Sequence, residues 1–253
     1  MGREAQQGDL TRAGVNADGL LRAGHLDEAI ESLGVELRAN PADIQRRTFL
    51  FELLCFAGEY ERALKQLDVL AGGGREAQLG ALLYRGALHA DRTRQEMFEH
   101  RTYPQAGPRP PVASGTLNGR PFQSLVDGDP RIGARLEVFA AGQYLWIPFA
   151  HLASVRMAAP RRLRDLMWCP AVVRTGPEFR GLELGEVLLP GLAALTWQHP
   201  DGAVRLGRLT EWMAFEDSTE APLGQKLLLV DGAEFPILEL RELDIAPVGA
   251  VTA

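Results

Sequence analysis

The sequence predicts an α+β protein in which helical hairpins come first and a mainly β part follows. Three observations predict it. Between Leu20 and Leu70, glycine and apolar positions recur at a 34-residue interval. The stretch from Tyr103 to Pro111 is dense in Pro and Gly. Beyond it, short apolar runs are punctuated by Asn-Gly and Asp-Gly pairs. The expected boundaries are a helical domain over 1–102, a Pro-rich linker over 103–114 and a β-rich domain over 115–253.

The repeat carries the first part. Leu20-Leu21-x-x-Gly24-x-Leu26-x-x-Ala29-Ile30-x-x-Leu33 is echoed by Leu54-Cys55-x-x-Gly58-x-Tyr60-x-x-Ala63-Leu64-x-x-Leu67. A glycine ends each first helix in a left-handed conformation that other residues reach at a cost. A small alanine then lets the second helix lie close. Asn40-Pro41 closes the first unit, since Pro suits the first turn of a helix and breaks an interior. The spacing resembles a tetratricopeptide repeat, a helix–turn–helix unit of that period. Ile44, Phe49, Leu50, Leu53 and Leu54 form an apolar stripe on the next helix. In such a repeat Gln45, Thr48 and Glu52 look into the concave groove, with Phe56 beyond them. Gly72-Gly73-Gly74 reads as a turn; it lacks the Lys-Ser/Thr of a phosphate-binding loop. Ala77 to Met97 reads as one long helix. Two repeats and one helix leave a face uncovered, so the C-terminal part or a partner is expected to pack on that helix.

In the second part, Asn118-Gly119 predicts a two-residue hairpin. Arg135–Phe139 and Gln143–Ile147 flank a second turn, and Asp231-Gly232 joins Lys226–Val230 to Glu234–Leu240. Met167–Val173 and Gly185–Leu189 read as strands, the first marked by Pro170 as an edge or a bulge. Leu192–Gln198 and Val204–Leu209 read as strands joined through Pro200-Asp201-Gly202. Arg161–Leu166 reads as a short helix, and the residues from Ala246 as a loose tail.

A net charge of −6 without a basic stripe excludes a nucleic-acid footprint. Apolar runs fall short of a bilayer span. Met1 to Gln7 lacks the order of a signal peptide, and Gln6 stands where myristoylation wants Ser or Thr. Residues 1–9 are expected to fray, and the helical pattern to begin at Leu10. Cys55 and Cys169 imply neither a disulfide framework nor a zinc cluster. The expected compartment is the cytoplasm.

The sequence contains no His-Glu-x-x-His, Gly-x-Ser-x-Gly, Cys-x-x-Cys or dinucleotide fingerprint. His25, His89, His100, His151 and His199 have no metal-ligand spacing. Glu183, Glu186, Glu211, Glu216 and Asp217 fit solvated surface better than an acid/base pair. Trp146, Trp168, Trp197 and Trp212 all lie in the C-terminal part. Core is the first expectation for them, and Trp212 beside Glu211 is the best surface candidate. Arg156, Arg161, Arg162 and Arg164 form a local basic patch that reads as a solvated turn or as a dock for an acidic partner.

Gly142-Gln143-Tyr144-Leu145-Trp146-Ile147-Pro148-Phe149, followed by Leu163-Arg164-Asp165-Leu166-Met167-Trp168-Cys169-Pro170-Ala171, resembles the ImpE family, also called TagJ. Arg208-Leu209-Thr210-Glu211-Trp212, Gly224-Gln225-Lys226-Leu227-Leu228 and Glu234-Phe235-Pro236 extend the match, as does Leu20 to Ala29. The resemblance implies an accessory, non-enzymatic component of bacterial type VI secretion. It also implies protein partners: the small sheath subunit and, in some members, the ClpV unfoldase, met by a helix at the extreme N-terminus. This chain departs there, because Met1 to Val15 is short, polar and Gly-punctuated. It departs also between Met97 and Ser114, where the family has more helix. The reading is an adaptor whose groove residues are Gln45, Thr48, Glu52 and Phe56, with Trp212 as a further contact, no cofactor and no metal. A scaffold outside secretion, and a small-ligand or enzymatic C-terminal domain, stand as alternatives.

Overall fold

The computed structural model describes residues 16–104, 110–176, 184–215 and 219–247. The expected frayed start and the helix onset at Leu10, the linker residues 105–109, Glu183, Glu216, Asp217 and the tail from 248 onward lie outside the described residues.

The architecture is α+β. Helices α1 (Ala17–Arg22), α2 (Leu26–Ala39), α3 (Ile44–Phe56), α4 (Tyr60–Leu70) and α5 (Arg75–Glu99) run in sequence. Gly24 at φ 87° and Gly58 at φ 72° end α1 and α3 as the 34-residue interval requires. Both corners are closed by one hydrogen-bond pattern. His25 N–H donates to Leu20 O and Gly24 N–H to Leu21 O; Glu59 N–H donates to Leu54 O and Gly58 N–H to Cys55 O. This double bond satisfies carbonyls that the helix end would leave orphaned. Ala29, Leu33, Ala63 and Leu67 are all buried, so the repeat positions are core positions. Asp43 caps α3 by accepting the Arg46 N–H at 2.9 Å.

The β part begins with β1 (Gly115–Leu117), β2 (Arg120–Phe122), β3 (Leu125–Asp127), β4 (Arg135–Ala140) and β5 (Gln143–Pro148). It continues with β6 (Leu152–Met157), β7 (Trp168–Thr175) and β8 (Gly185–Pro190), then a short helix α6 (Gly202–Arg205). The last strands are β9 (Thr210–Ala214), β10 (Glu220–Gly224), β11 (Leu227–Val230), β12 (Ala233–Pro236) and β13 (Glu242–Ile245). Among the described residues an eight-stranded sheet runs β2-β1-β13-β6-β7-β8-β4-β5, beside a three-stranded sheet β12-β11-β3 and a ribbon β10-β9. Every pairing is antiparallel. Three hairpins turn through successive positive φ angles, at Asn118-Gly119, Ala141-Gly142 and Asp231-Gly232, the geometry that matches strand twist.

Two segments differ from the sequence reading. Leu192–Gln198 and Val204–Leu209 are not strands: Thr196–Gln198 is a 3-10 turn, and α6 follows it. Asp201 nucleates α6 by accepting the Ala203 N–H at 2.7 Å, so the Pro-Asp-Gly run works as a helix start and not as a hairpin. Pro170 lies inside the large sheet, yet β6 pairs β7 only from Met157↔Ala171 onward. Pro170 therefore has β8 as its one partner, at Leu188, and no ladder bond is lost. Arg161–Leu166 holds the expected short turn, a 3-10 helix over Leu163–Leu166. Ala246 is still tied, its N–H donating to Ser114 O.

One core cluster joins the two parts. It gathers the helix interior and also Phe139, Met167, Trp168 and Leu206 from the β part. A second gathers buried residues of the large sheet around Val138, Val155, Leu189 and Leu243.

Candidate functional site

The hollow of the helical hairpins is occupied by the chain itself. Trp168 stacks on Tyr84 with ring centroids 5.9 Å apart and lies against Phe51. Trp197 sits so close to Gly58 that a Cβ there would meet its ring at 2.6 Å, and a Cβ on Gly202 would meet Gly24 O at 1.9 Å. The segment from Thr196 to Arg205 thus reads both repeat corners. Arg164 Nη1 donates to Glu52 Oε1 at 2.8 Å and lies over the Tyr84 ring. Burial pushes the Glu52 carboxyl up, with Arg164 pulling it back.

The sequence-predicted groove residues are accordingly divided. Gln45 is exposed, and Thr48 is half-buried with its hydroxyl donating to Ile44 O at 2.9 Å. Glu52 and Phe56 are buried inside, because the β part folds back onto the face they occupy. Trp212 is on the outside of the β9-β10 ribbon, its Nε1 donating to Glu234 Oε1 at 2.8 Å. Trp168 is core, while Trp146 stacks on Tyr103 near Phe98. The structure does not bring Trp212 together with Gln45 and Thr48 in any described contact.

A large opening lies elsewhere. Between α5, which packs on β4 and β5, and the outer face of β6, β7 and β8, a trough of about 1040 Å³ is left. Leu82 and Leu83 form one wall; Phe139, Met157, Val172 and Leu188 are among the residues of the other side and the floor. Leu82 is 66% exposed and Val172 37%, so the apolar surface faces solvent. Leu79, one turn before Leu83, continues the exposed stripe on α5. Gly86 and Gly142 meet at the inner end, close enough that a Cβ on Gly86 would touch the Gly142 Cα at 3.4 Å. The charged lining is Arg85, Arg156, Arg241 and Glu186. Arg85 pairs with Asp68 at 2.6 Å and Arg156 with Asp244 at 2.7 Å, both in exposed geometry. Arg241 Nη1 donates instead to the carbonyls of Leu238 and Leu240. A single carboxylate, Glu186, stands among these groups, without a second one to form an acid/base pair with it.

Behind the trough, the two parts are pinned by buried charge. Arg94 of α5 grips Glu137 of β4 with Nε–Oε1 at 2.7 Å and Nη2–Oε2 at 3.0 Å. Lys226 reaches both Glu137 and Asp127 of β3, and the Tyr144 hydroxyl donates to Glu137. All four charged residues are almost fully buried. Burial drives the Glu137 carboxyl up, but Arg94 and Lys226 outweigh it and hold it down to about 2. Asp127, which has only Lys226 as a cation partner, is pushed up to about 7 by burial. Burial likewise opposes the charge on Lys226, and Asp127 with Glu137 more than restores it. Adjacent to them, Gln95 Oε1 accepts the Leu195 N–H at 2.7 Å and Arg94 Nη2 donates to Leu192 O, which fixes the docking segment onto α5. Among the described residues no cluster of His, Cys, Asp and Glu has a metal-binding arrangement. No helix there is long and apolar enough to cross a membrane.

Neither the trough nor the charge cluster was predicted. Arg94 does sit on the buried stripe Ala87, Ala90, Arg94, Phe98 of α5, at helical spacing, which is the signal that could have found it.

Comparison with known proteins agrees with this architecture. The family described as ImpE protein matches residues 119–244, most of the β part. The type VI secretion system accessory component TagJ of Pseudomonas aeruginosa is 33% identical over 267 residues, covering 92% of this chain and 92% of that protein. The crystal structure of protein VPA1032 from Vibrio parahaemolyticus superposes with a TM-score of 0.79 at 24% identity, over 91% of this chain and 97% of that one. That structure shares the fold. With one match on the β part and a relative spanning both parts, the chain belongs to the ImpE/TagJ family.

Proposed function

We propose that the protein is a non-enzymatic accessory component of bacterial type VI secretion, working in the cytoplasm as an adaptor for other polypeptides. One observation carries this: a relative named as such a component matches nearly the full length of both chains at 33% identity. The large apolar trough fits the reading. The partner is the small sheath subunit, with the ClpV unfoldase as a second protein that the complex reaches. Gln45, Thr48 and Trp212 offer side chains to partners, while Glu52 and Phe56 support that surface from within. The helical repeats act as a tetratricopeptide-like support that the β part, joined through 103–114, completes.

The test is calorimetry with the purified chain. The small sheath subunit, the large sheath subunit and the ClpV N-terminal domain are titrated one at a time. Saturable binding of the small subunit, alone or with its large partner, is expected. Heats indistinguishable from dilution in all titrations would retire the proposal.

A further inference from the structure

We infer that β9 pairs along its free edge with β9 of a second copy of this chain, the two strands running antiparallel about a two-fold axis at Trp212. The inference stands apart from the adaptor reading above, and it gives the Trp212 surface to a like chain.

The backbone fixes which groups that edge offers. β9 pairs β10 with Thr210↔Gly224, Glu211↔Leu223, Trp212↔Pro222, Met213↔Ala221 and Ala214↔Glu220, without a register shift. In an antiparallel ladder only alternate pairs exchange hydrogen bonds. Pro222 has no N–H to give. Gly224 turns away from β9: its N–H donates to Thr196 Oγ1, and its O accepts the Ala193 N–H. Phe215, just past β9, donates its N–H to Thr219 O at 2.8 Å. The residues of β9 bonded to β10 are therefore Glu211 and Met213, and Thr210, Trp212 and Ala214 turn N–H and C=O to the free side. Other open edges are blunted in the usual ways. The two-residue hairpins turn Pro121 to the free side of β2 and Pro236 to that of β12, and α5 packs along β5. β9 carries neither proline, lysine nor bulge, and Leu209, Trp212 and Met213 are exposed along it.

Self-complementarity selects a second copy as the occupant. The outward residues are spaced evenly about Trp212. Two antiparallel β9 strands centred there bond Trp212 to Trp212 and Thr210 to Ala214, so every outward N–H meets an outward C=O. Side chains agree with that register. Glu211 falls opposite Met213 of the second copy, and Leu209 opposite Phe215 of the second copy. Exposed apolar groups thus gain cross-strand neighbours, and no like charges stand directly opposite. An axis at Glu211 would set two carboxylates against each other, and one at Met213 would leave Thr210 facing a residue beyond β9. The run Arg208 to Ala214 holds one arginine and one glutamate, so it brings no net charge to the axis although the chain carries −6. Pairing two copies also closes both edges at once, whereas a foreign strand would only move the open edge outward.

Sedimentation velocity of the full chain tests the inference over roughly a hundredfold range of concentration, because a contact this small belongs to the weak class. The wild type is expected to dimerise reversibly. Two variants separate the edge from the fold. Ala214→Pro removes an N–H that β10 does not use, and Trp212→Lys sets two ammonium groups together at the axis. Each is expected to weaken dimerisation at least tenfold while keeping the wild-type circular dichroism and Tm. If one of them loses the fold, the other decides together with disulfide trapping. In the trapping, Glu211→Cys mixed with Met213→Cys is expected to cross-link at least tenfold faster than either variant alone, the native Cys55 and Cys169 being buried. A wild type that stays monomeric throughout overturns the inference, and so does a dimer that survives the variants unchanged. Cross-linking no faster in the mixture overturns the axis at Trp212. All three results leave the adaptor reading standing, since that reading is decided by titration with other proteins.

Discussion

At the scale of single residues, the strongest statement in the structure is the placement of four charges where water does not reach. With Asp127 ionised, Arg94, Glu137, Lys226 and Asp127 sum to zero, and pairing of this kind offsets the cost of burying them. Within that balance the two carboxylates behave oppositely. Glu137 is held at about 2, below the ordinary 4.5, so the stability it contributes is present above about pH 4.5 and is lost as pH falls toward 2. Asp127 is held at about 7, above the ordinary 3.8. Between those values the folded protein binds a proton that the unfolded chain has released, so stability falls as pH rises from 4 to 7 and levels off above. Asp127→Asn removes that dependence. Urea unfolding at pH 4.5 and 7.5 is expected to show the wild type losing a few kcal/mol more than the variant across this interval. Parallel pH profiles for the two proteins would show that Asp127 is ionised throughout. Little of this was legible in the sequence. Lys226 and Lys65 are the only lysines of the chain, and Arg94 lies on a buried stripe, but a residue's partner across the fold is not written beside it.

At the scale of elements, the sequence was most informative where the physics is local. The corners at Gly24 and Gly58 follow from the steric cost of a left-handed residue, and their hydrogen-bond closure is the same in both. The hairpins at Asn118-Gly119 and Asp231-Gly232 follow likewise. The segment from Leu192 to Leu209 departs from the expected strands because Pro-Asp-Gly signals a turn without saying what the turn serves. Its shape is set by the corners it fills, which are distant in sequence. This gives the two equivalent glycines different sensitivities. Alanine at either one pays the left-handed strain, about 1–2 kcal/mol. At Gly24 the new methyl has its nearest neighbour at 3.8 Å, whereas at Gly58 it meets the Trp197 ring at 2.6 Å. Gly58→Ala is therefore expected to cost roughly 1–3 kcal/mol more than Gly24→Ala in chemical denaturation. Equal losses would mean that Trp197 does not rest on the corner in solution.

At the scale of the whole molecule, the helical hairpins do not present an empty hollow, because the β part closes over it. That is why Glu52 and Phe56, expected from their repeat positions to face a partner, are internal, and why the open apolar surface is found across α5 instead. The trough could not be read from sequence, since its wall and floor come from segments that meet only in the folded chain. The shared core and the Arg94–Glu137 grip make one prediction about folding. Helix content reports mainly on α1 to α5, while Trp146, Trp168, Trp197 and Trp212 all lie in the β part. Far-ultraviolet circular dichroism and tryptophan fluorescence therefore follow the two parts separately. If the parts fold as one cooperative unit, their urea transitions coincide. Arg94→Ala leaves Glu137 buried with one cation fewer and is expected to cost roughly 3–5 kcal/mol. Because Arg94 stands on the seam, the loss should appear equally in both signals if the core contact through Trp168 still couples the parts. A variant whose fluorescence transition moves while the helical signal stays in place would mean that the charge cluster, and not the shared core, binds them into one body.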